Sequence, residues 1–356
     1  QAEQLSVAAQ GLKFTSFAVG GGTPLILDEG QLEELFCLAE LFGVHPSRVF
    51  TSVETSPEYT QKSVLRQLRA RGVERLSMGV QSFNETELKK LKRRPGLGTV
   101  VGALENIVEA GFPQFNLDLI YGIEGQTVES FMRSLNTALT YRPNELFIYP
   151  LYVRPGTRID VRSTDDIGYA IYKSARELLV GQGFVQTSMR RFVRRETTET
   201  EFSCGDEVML SCGAGGRSYL GNLHYATPYA VRQQAIADEI DHYIRTTDFM
   251  TAANGFLLST EEMQIRFIIK NLMYHRGVDL AEYEKRFGEK PDRNLFREFT
   301  DRGWIEETGR IVRLTEEGMA YSDYIGQAFI SPVVRKLMSE YVYPCLLYTS
   351  DAADDS

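Results

Sequence analysis

Between residues 12 and 182 the spacing of apolar positions switches repeatedly between two periods. A β-rich run at 14–19 leads through GGGTP into a stretch where Leu32, Leu35, Phe36, Ala39 and Phe42 recur at helical spacing. Strand-like 49–53 then precedes a helix over 61–71, 75–80 a helical stretch over 85–93, and 115–121 a helix over 128–141. A helix over 102–110 leads into the fourth strand, and 145–153 pairs with a helix over 166–181. Strand then helix, recurring at near-regular spacing, predicts five successive parallel βα units. These strands are apolar on both faces or nearly so, as expected where helices cover a sheet. The fold class is α/β, with an open doubly wound sheet and a full or partial βα barrel as the two candidate architectures.

Polar residues choose between them. Residues 20–23, Glu54, Gln81, Asp118 and 152–154 fall at or near the C-terminal ends of successive strands. In a barrel those ends converge on one mouth, whereas along an open sheet two or three at most would meet. A barrel-like arc over 1–182 is therefore expected. Residues 183–258 read as an extension, with an outer strand over 184–193 bearing RRFVRR and a glycine-rich turn at 211–219. Residues 259–344 resemble a winged helix; acids outnumber bases from 260 to 326, which favours a structural cap over a DNA reader.

Composition narrows the class. The 356 residues carry 39 Lys+Arg against 48 Asp+Glu, and a net charge of −9 argues against nucleic acid as a partner. No apolar run approaches the ~20 residues of a membrane span. Four irregularly spaced cysteines, Cys37, Cys204, Cys212 and Cys345, exclude a disulfide scaffold and point to a reducing, cytoplasmic setting. The chain opens on Gln1 in the tail of a helix, and 345–356 breaks the preceding pattern and resembles a translated sequencing adapter, expected to be a scar outside the fold.

Chemistry gathers at the mouth. Consecutive glycines at 20–22 let a ligand approach the backbone, and Pro24 fixes the turn, although an ordinary tight turn has the same composition. Glu54 ends an apolar strand, where a buried carboxylate needs a partner such as a ribose diol or an ammonium. A helix N-cap or a salt bridge to an arginine is the alternative. Asp118 is placed similarly in FNLDLIYG, and Gln81 adds a neutral donor and acceptor. There is no Ser–His–Asp logic, no HxH pair and no P-loop lysine, so the mouth binds something polar without a visible nucleophile or acid–base pair. Cys37 is expected in the core, Arg190, Arg191, Arg194 and Arg195 on a solvated edge, and His224 in a structural role.

GGGTP, SVETSP, GVERLSMGVQSFNETELKKLKR, NLDLIYGIEGQT and YPLYVRPGT, in this order, resemble the radical SAM enzymes related to oxygen-independent coproporphyrinogen III oxidase (HemN/HemW-like). The resemblance spans about residues 12–330 and implies a partial six-stranded TIM-like radical SAM barrel with a C-terminal cap. It implies two cofactors, S-adenosyl-L-methionine and a 4Fe-4S cluster that cleaves it reductively to a 5′-deoxyadenosyl radical. Carried over by motif, Gly21, Gly22 and Thr23 contact the methionine part, Glu54 the ribose or amino end, and Gln81, Arg93 and Asp118 other parts of S-adenosylmethionine. Arg94 is the alternative counterpart of Arg93. The family's CxxxCxxC occurs nowhere in the sequence, and five βα units stand where the family has six. The resemblance thus implies a chain truncated before that motif, with no metal ligands of its own.

The expected function is a radical SAM oxidoreductase acting on a tetrapyrrole or another organic substrate, fed by an electron donor such as flavodoxin or ferredoxin. A heme-binding chaperone of HemW type is the alternative, and a degenerate barrel without cofactor is a third. The HNxxYW signature of many HemW-like members is absent, its place taken by a stretch ending FSCGDEVML.

Overall fold

Five parallel strands stand side by side in chain order in the computed structural model, each followed by one or two helices. It describes residues 1–93, 96–152, 165–194, 208–228, 230, 233–252 and 254–340. After α1 (Ala2–Ala8) come β1 (Ser16–Val19), α2 (Glu29–Glu40), β2 (Phe50–Thr55), α3 (Lys62–Ala70) and β3 (Arg75–Gln81). Then follow α4 (Glu85–Lys90), α5 (Leu97–Ala110), β4 (Gln114–Tyr121), α6 (Val128–Thr140), β5 (Glu145–Pro150) and α7 (Asp165–Gly181). The short strands β6 (Phe184–Gln186) and β7 (Arg191–Arg194) complete a sheet ordered β1-β2-β3-β4-β5-β7-β6. Across the first five strands the order never reverses, so there is no switch point of the doubly wound kind, and the arrangement is a barrel-type arc.

Local chemistry explains the element boundaries. Helix α2 starts at a capping box in which Asp28 and Gln31 satisfy each other's backbone, and α6 starts at the equivalent box of Thr127 and Ser130. Helix α5 ends where Gly111 adopts the left-handed conformation, φ 64°, that closes a C-terminus.

One face of the sheet is apolar. Val53, Leu76, Met78, Leu117, Leu119, Leu146 and Ile148 are fully buried there, as are Leu65 and Leu68 of α3, Leu104 of α5 and Leu135 of α6. Each such side chain contributes roughly 1.5–3 kcal/mol by burial. The opposite face departs from the sequence reading. It carries Ser52, Glu54, Arg75, Ser77, Asn116, Asp118 and Glu145 at alternate positions, so the strands are two-faced rather than apolar on both sides.

The chain divides into two compact units. The first holds the described parts of Gln1–Val185, Phe192–Asp206 and Tyr243–Ala252, and contains the five-stranded arc. The second contains β8 (Arg217–Leu220), β9 (Leu223–Ala226), most of α8 (Gln233–Arg245) and β10 (Gly255–Leu257), with the strands paired β10-β9-β8. It continues with α9 (Thr260–Leu272), β11 (Val278–Asp279), α10 (Leu280–Phe287), α11 (Asn294–Asp301), β12 (Ile305–Thr308) and β13 (Ile311–Leu314), a winged-helix order with the sheet paired β11-β13-β12. Helices α12 (Glu316–Ala320), α13 (Ser322–Ala328) and α14 (Pro332–Glu340) follow. Among the described residues no helix is long and apolar enough to cross a membrane.

Several expectations are corrected. The single outer strand over 184–193 is two short strands, β6 and β7. Strands β8 and β9 arise where no strand was expected, because four-residue strands leave too little alternation to see. The arginines are not a solvated edge. Arg191 is 3% exposed, Arg190 pairs with Asp323, and the Arg194 guanidinium lies 4.6 Å from the Phe184 ring. Arg195 lies outside the described residues. Cys37 is exposed on α2 rather than in the core. His224 stacks on Tyr219 at 4.1 Å, with Arg266 3.8 Å from the other ring, and burial holds its pKa below the usual histidine range.

Candidate active site

The polar face of the arc is built in rows, because parallel register sets equivalent residues of neighbouring strands side by side. Ser52 pairs with Arg75; Glu54 with Ser77, Ser77 with Asn116, and Asn116 with Glu145; Gly79 with Asp118, and Asp118 with Phe147. Towards the strands' N-terminal ends this face is closed. Arg75 Nε donates to Glu145 Oε2 at 2.6 Å and Arg75 Nη1 to Ser52 Oγ at 2.9 Å, with the Glu145 side chain 2% exposed. A buried ion pair spanning β3 and β5 thus forms a floor.

Above the floor sits Asn116, fully buried, whose amide nitrogen donates to Ser77 Oγ and to Asp118 Oδ1, both at 2.7 Å. Its amide oxygen has no partner among the described residues. Asp118 is pushed up to about 7, first by burial, while the Asn116 hydrogen bond and Arg75 pull it down and the negative charges of Glu54 and Glu145 push it further up. A carboxyl group with that value exchanges its proton near neutrality.

At the rim, Gly21 and Gly22 have φ of 83° and 60°, and a Cβ on either would meet nothing within 4 Å, so the loop presents bare backbone. Gly21 N donates weakly to Glu54 Oε2 at 3.4 Å, and a Cβ on Gly20 would stand 3.0 Å from that carboxylate. Thr23 is half-buried just before the turn containing Pro24. Glu54 itself is exposed, not buried as expected, and makes neither a helix cap nor a salt bridge among the described residues. Gln81 closes β3 in the left-handed conformation, φ 71°, at a bulge, and its side-chain nitrogen folds back to where a Cβ on Gly79 would lie. A non-glycine residue held there is strained, a feature that clusters at functional sites.

The structure therefore brings Gly21 and Glu54 together at one side of the mouth, and sets Gln81 beside Asp118 through Gly79. Gly22 and Thr23 continue the same loop. Arg93 is exposed after α4, and its guanidinium has no partner among the described residues; Arg94 lies outside them. Sequence reasoning missed the wall beside Asp118, where Phe147 and Tyr149 stack with ring centroids 5.5 Å apart. It also missed Asn116, Ser77 and the floor pair. The available signal was the i, i+2 recurrence of polar residues along 114–118 and of aromatics along 147–149. A cleft of about 360 Å³ beside the starts of α6 and α7 and one of about 220 Å³ between α3 and α5 contain none of these residues.

The model of the radical SAM superfamily matches residues 1–138, and that of the HemN C-terminal domain matches residues 258–321. The chain carries a radical SAM domain and a HemN C-terminal domain. It is similar to heme chaperone HemW of Bacillus subtilis, 27% identical over 334 residues, covering 88% of this chain and 84% of the relative. It is 35% identical over 292 residues to oxygen-independent coproporphyrinogen III oxidase of Salmonella typhimurium, covering 76% of this chain and 62% of that enzyme. The fold matches the solved radical SAM coproporphyrinogen III oxidase (HemN) of Escherichia coli with a TM-score of 0.75 at 22% identity, covering 92% of this chain and 81% of that one.

The two cofactors of the radical SAM family fit these residues differently. Carboxyl acceptors at Glu54 and Asp118, a bare glycine backbone and the Gln81 amide suit S-adenosylmethionine, with its hydroxyls, ammonium and carboxylate. A four-iron cluster does not fit. No CxxxCxxC is present in the sequence, Cys37 and Cys212 lie singly on different units, and no group of three potential metal ligands exists among the described residues.

Proposed function

We propose that the polar mouth is an S-adenosylmethionine site and that the protein is an oxidoreductase related to oxygen-independent coproporphyrinogen III oxidase, acting on a tetrapyrrole or another organic substrate. The observation that carries this reading is that a half-buried, proton-exchanging Asp118 and the Glu54–glycine-loop rim lie on one face of the arc. Gly21, Gly22 and Thr23 would hold the methionine part, Glu54 the ribose or amino end, and Gln81, Arg93 and Asp118 the remaining polar groups. The chemistry that the cofactor supplies to this family is reductive cleavage at its sulfonium. What these residues contribute is binding and orientation: acceptors for hydroxyl and ammonium hydrogens, backbone amides at the rim, and a floor closed to water by Arg75 and Glu145.

A second reading, a heme chaperone of HemW type, is supported by the similarity to the Bacillus subtilis protein along most of both chains. Anaerobic titrations with coproporphyrinogen III and with heme separate the two. The oxidoreductase reading expects saturable porphyrinogen binding that S-adenosylmethionine strengthens. The chaperone reading expects stoichiometric heme uptake with a shifted Soret band and no response to porphyrinogen. A protein that binds S-adenosylmethionine, heme and porphyrinogen not at all would overturn both.

A further inference from the structure

Glu87 is a buried carboxyl group that plays no part in the reading above. It sits on α4 and is 4% exposed, yet three side-chain donors converge on it. Ser82 Oγ donates to Oε2 at 2.6 Å, Gln126 Nε2 to the same oxygen at 2.9 Å, and Ser130 Oγ to Oε1 at 2.6 Å. These donors belong to three places: the exit of β3, the turn after β4, and the first turn of α6. The links extend outwards. Gln126 Oε1 accepts from Gly122 N at 2.8 Å, Ser82 Oγ from Asn84 N at 2.9 Å, and Lys90, further along α4, donates to Glu124 O at 2.5 Å.

Each linked segment adjoins a residue of the mouth. Ser82 directly follows the strained Gln81, β4 carries Asp118 towards the Gly122 turn, and Arg93 folds back onto α4 through its backbone bond to Leu88 O at 3.0 Å. We infer that Glu87 is a positioning residue that holds the exits of β3 and β4 in register, so that Gln81, Arg93 and Asp118 face one ligand; the identity of that ligand rests on the S-adenosylmethionine reading above.

The geometry asks for acceptors, not for charge. In Glu87→Gln the amide oxygen can take the Oε2 position and keep Ser82 and Gln126. The new amide nitrogen then donates to Ser130 Oγ, whose own proton turns to Thr127 O, already 3.1 Å away. Each of the three groups now bonded to Glu87 keeps a partner, and of the two new amide hydrogens one is used. In Glu87→Ala the three donors lose this shared acceptor and fall back on longer, unconnected contacts, Ser82 on Ser134 Oγ at 3.4 Å, Gln126 on Ile120 O at 3.3 Å and Ser130 on Thr127 O at 3.1 Å.

The test compares parent, Glu87→Gln, Glu87→Ala and Ser82→Ala by hydrogen exchange without ligand and by calorimetric titration with S-adenosylmethionine. Glu87→Ala is expected to speed exchange at 81–84 and 122–127 while 50–55 stays protected, and to weaken cofactor binding roughly tenfold. Glu87→Gln is expected to restore both. Parental exchange at the two turns in Glu87→Ala, or a Glu87→Gln protein that behaves like Glu87→Ala, overturns the inference. If Glu87→Ala does not fold, Ser82→Ala must show the same local loosening or the inference fails. Exchange needs no cofactor, so a parent that fails to bind S-adenosylmethionine removes the cofactor reading and leaves the exchange pattern to decide the registering role.

Discussion

Asn116 and Asp118, two residues apart on β4, face the same side of the arc, and the Asn116 amide donates to the Asp118 carboxyl at 2.7 Å. That bond favours the ionised form and opposes the burial that raises the Asp118 pKa. Replacing Asn116 by Ala should therefore move the Asp118 titration above its parental value near 7. Carboxyl-carbon NMR reads this directly, and a titration that stays put or falls would mean that the bond does not act on Asp118.

The raised value has a consequence for stability whose sign is fixed. The folded protein holds the Asp118 proton at pH values where the unfolded chain has lost it, so stability falls as pH rises from about 4 through 7. Asp118→Asn removes this dependence while keeping an acceptor for Asn116. It should match the parent at pH 4 and exceed it at pH 8 by up to about 4 kcal/mol, the full shift from 3.8 to about 7 at roughly 1.4 kcal/mol per pH unit. Urea unfolding at the two pH values makes the comparison; equal differences at both would contradict it.

Arg75 and Glu145 are the floor. With Glu145 almost fully enclosed, removing one partner leaves a buried charge uncompensated, which costs about 3–5 kcal/mol. Glu145→Leu alone should thus destabilise severely, and combining it with Arg75→Met should recover much of the loss. A double variant no better than the single would show that the pair does not act as a unit.

The arc was legible because its buried strands and amphipathic helices differ in period; Glu54 and Gln81 fall at the ends of β2 and β3 as expected, whereas Asp118 lies mid-strand, with β4 running on to Tyr121. Asn116 and Arg75 were not legible. Each sits in an otherwise apolar strand, and only the register of three neighbours turns isolated polar residues into one connected face. Glu54 was misjudged as buried because an apolar strand gives no sign of where its last residues emerge. Strands β8 and β9 and the buried Arg191 depend on tertiary pairing that local pattern does not carry.

Iron binding gives an independent check on the metal assignment. With no cluster motif in the sequence and no three-ligand group among the described residues, anaerobic reconstitution should leave iron far below one cluster per chain after desalting. Four irons per chain with a cluster absorption spectrum would show that the ligands have been misassigned.

The central claim is that the mouth bearing Asp118 binds S-adenosylmethionine, and calorimetric titration of the parent, Asp118→Ala and Lys62→Ala tests it. Lys62 pairs with Glu109 away from the mouth, so its variant serves as a control. The parent and Lys62→Ala should bind alike, more tightly at pH 8 than at pH 6 because the ionised Asp118 is the better acceptor. Asp118→Ala, shown to be folded by circular dichroism, should lose roughly tenfold to a hundredfold in affinity. A folded Asp118→Ala protein that binds the cofactor as tightly as the parent at both pH values would contradict the account.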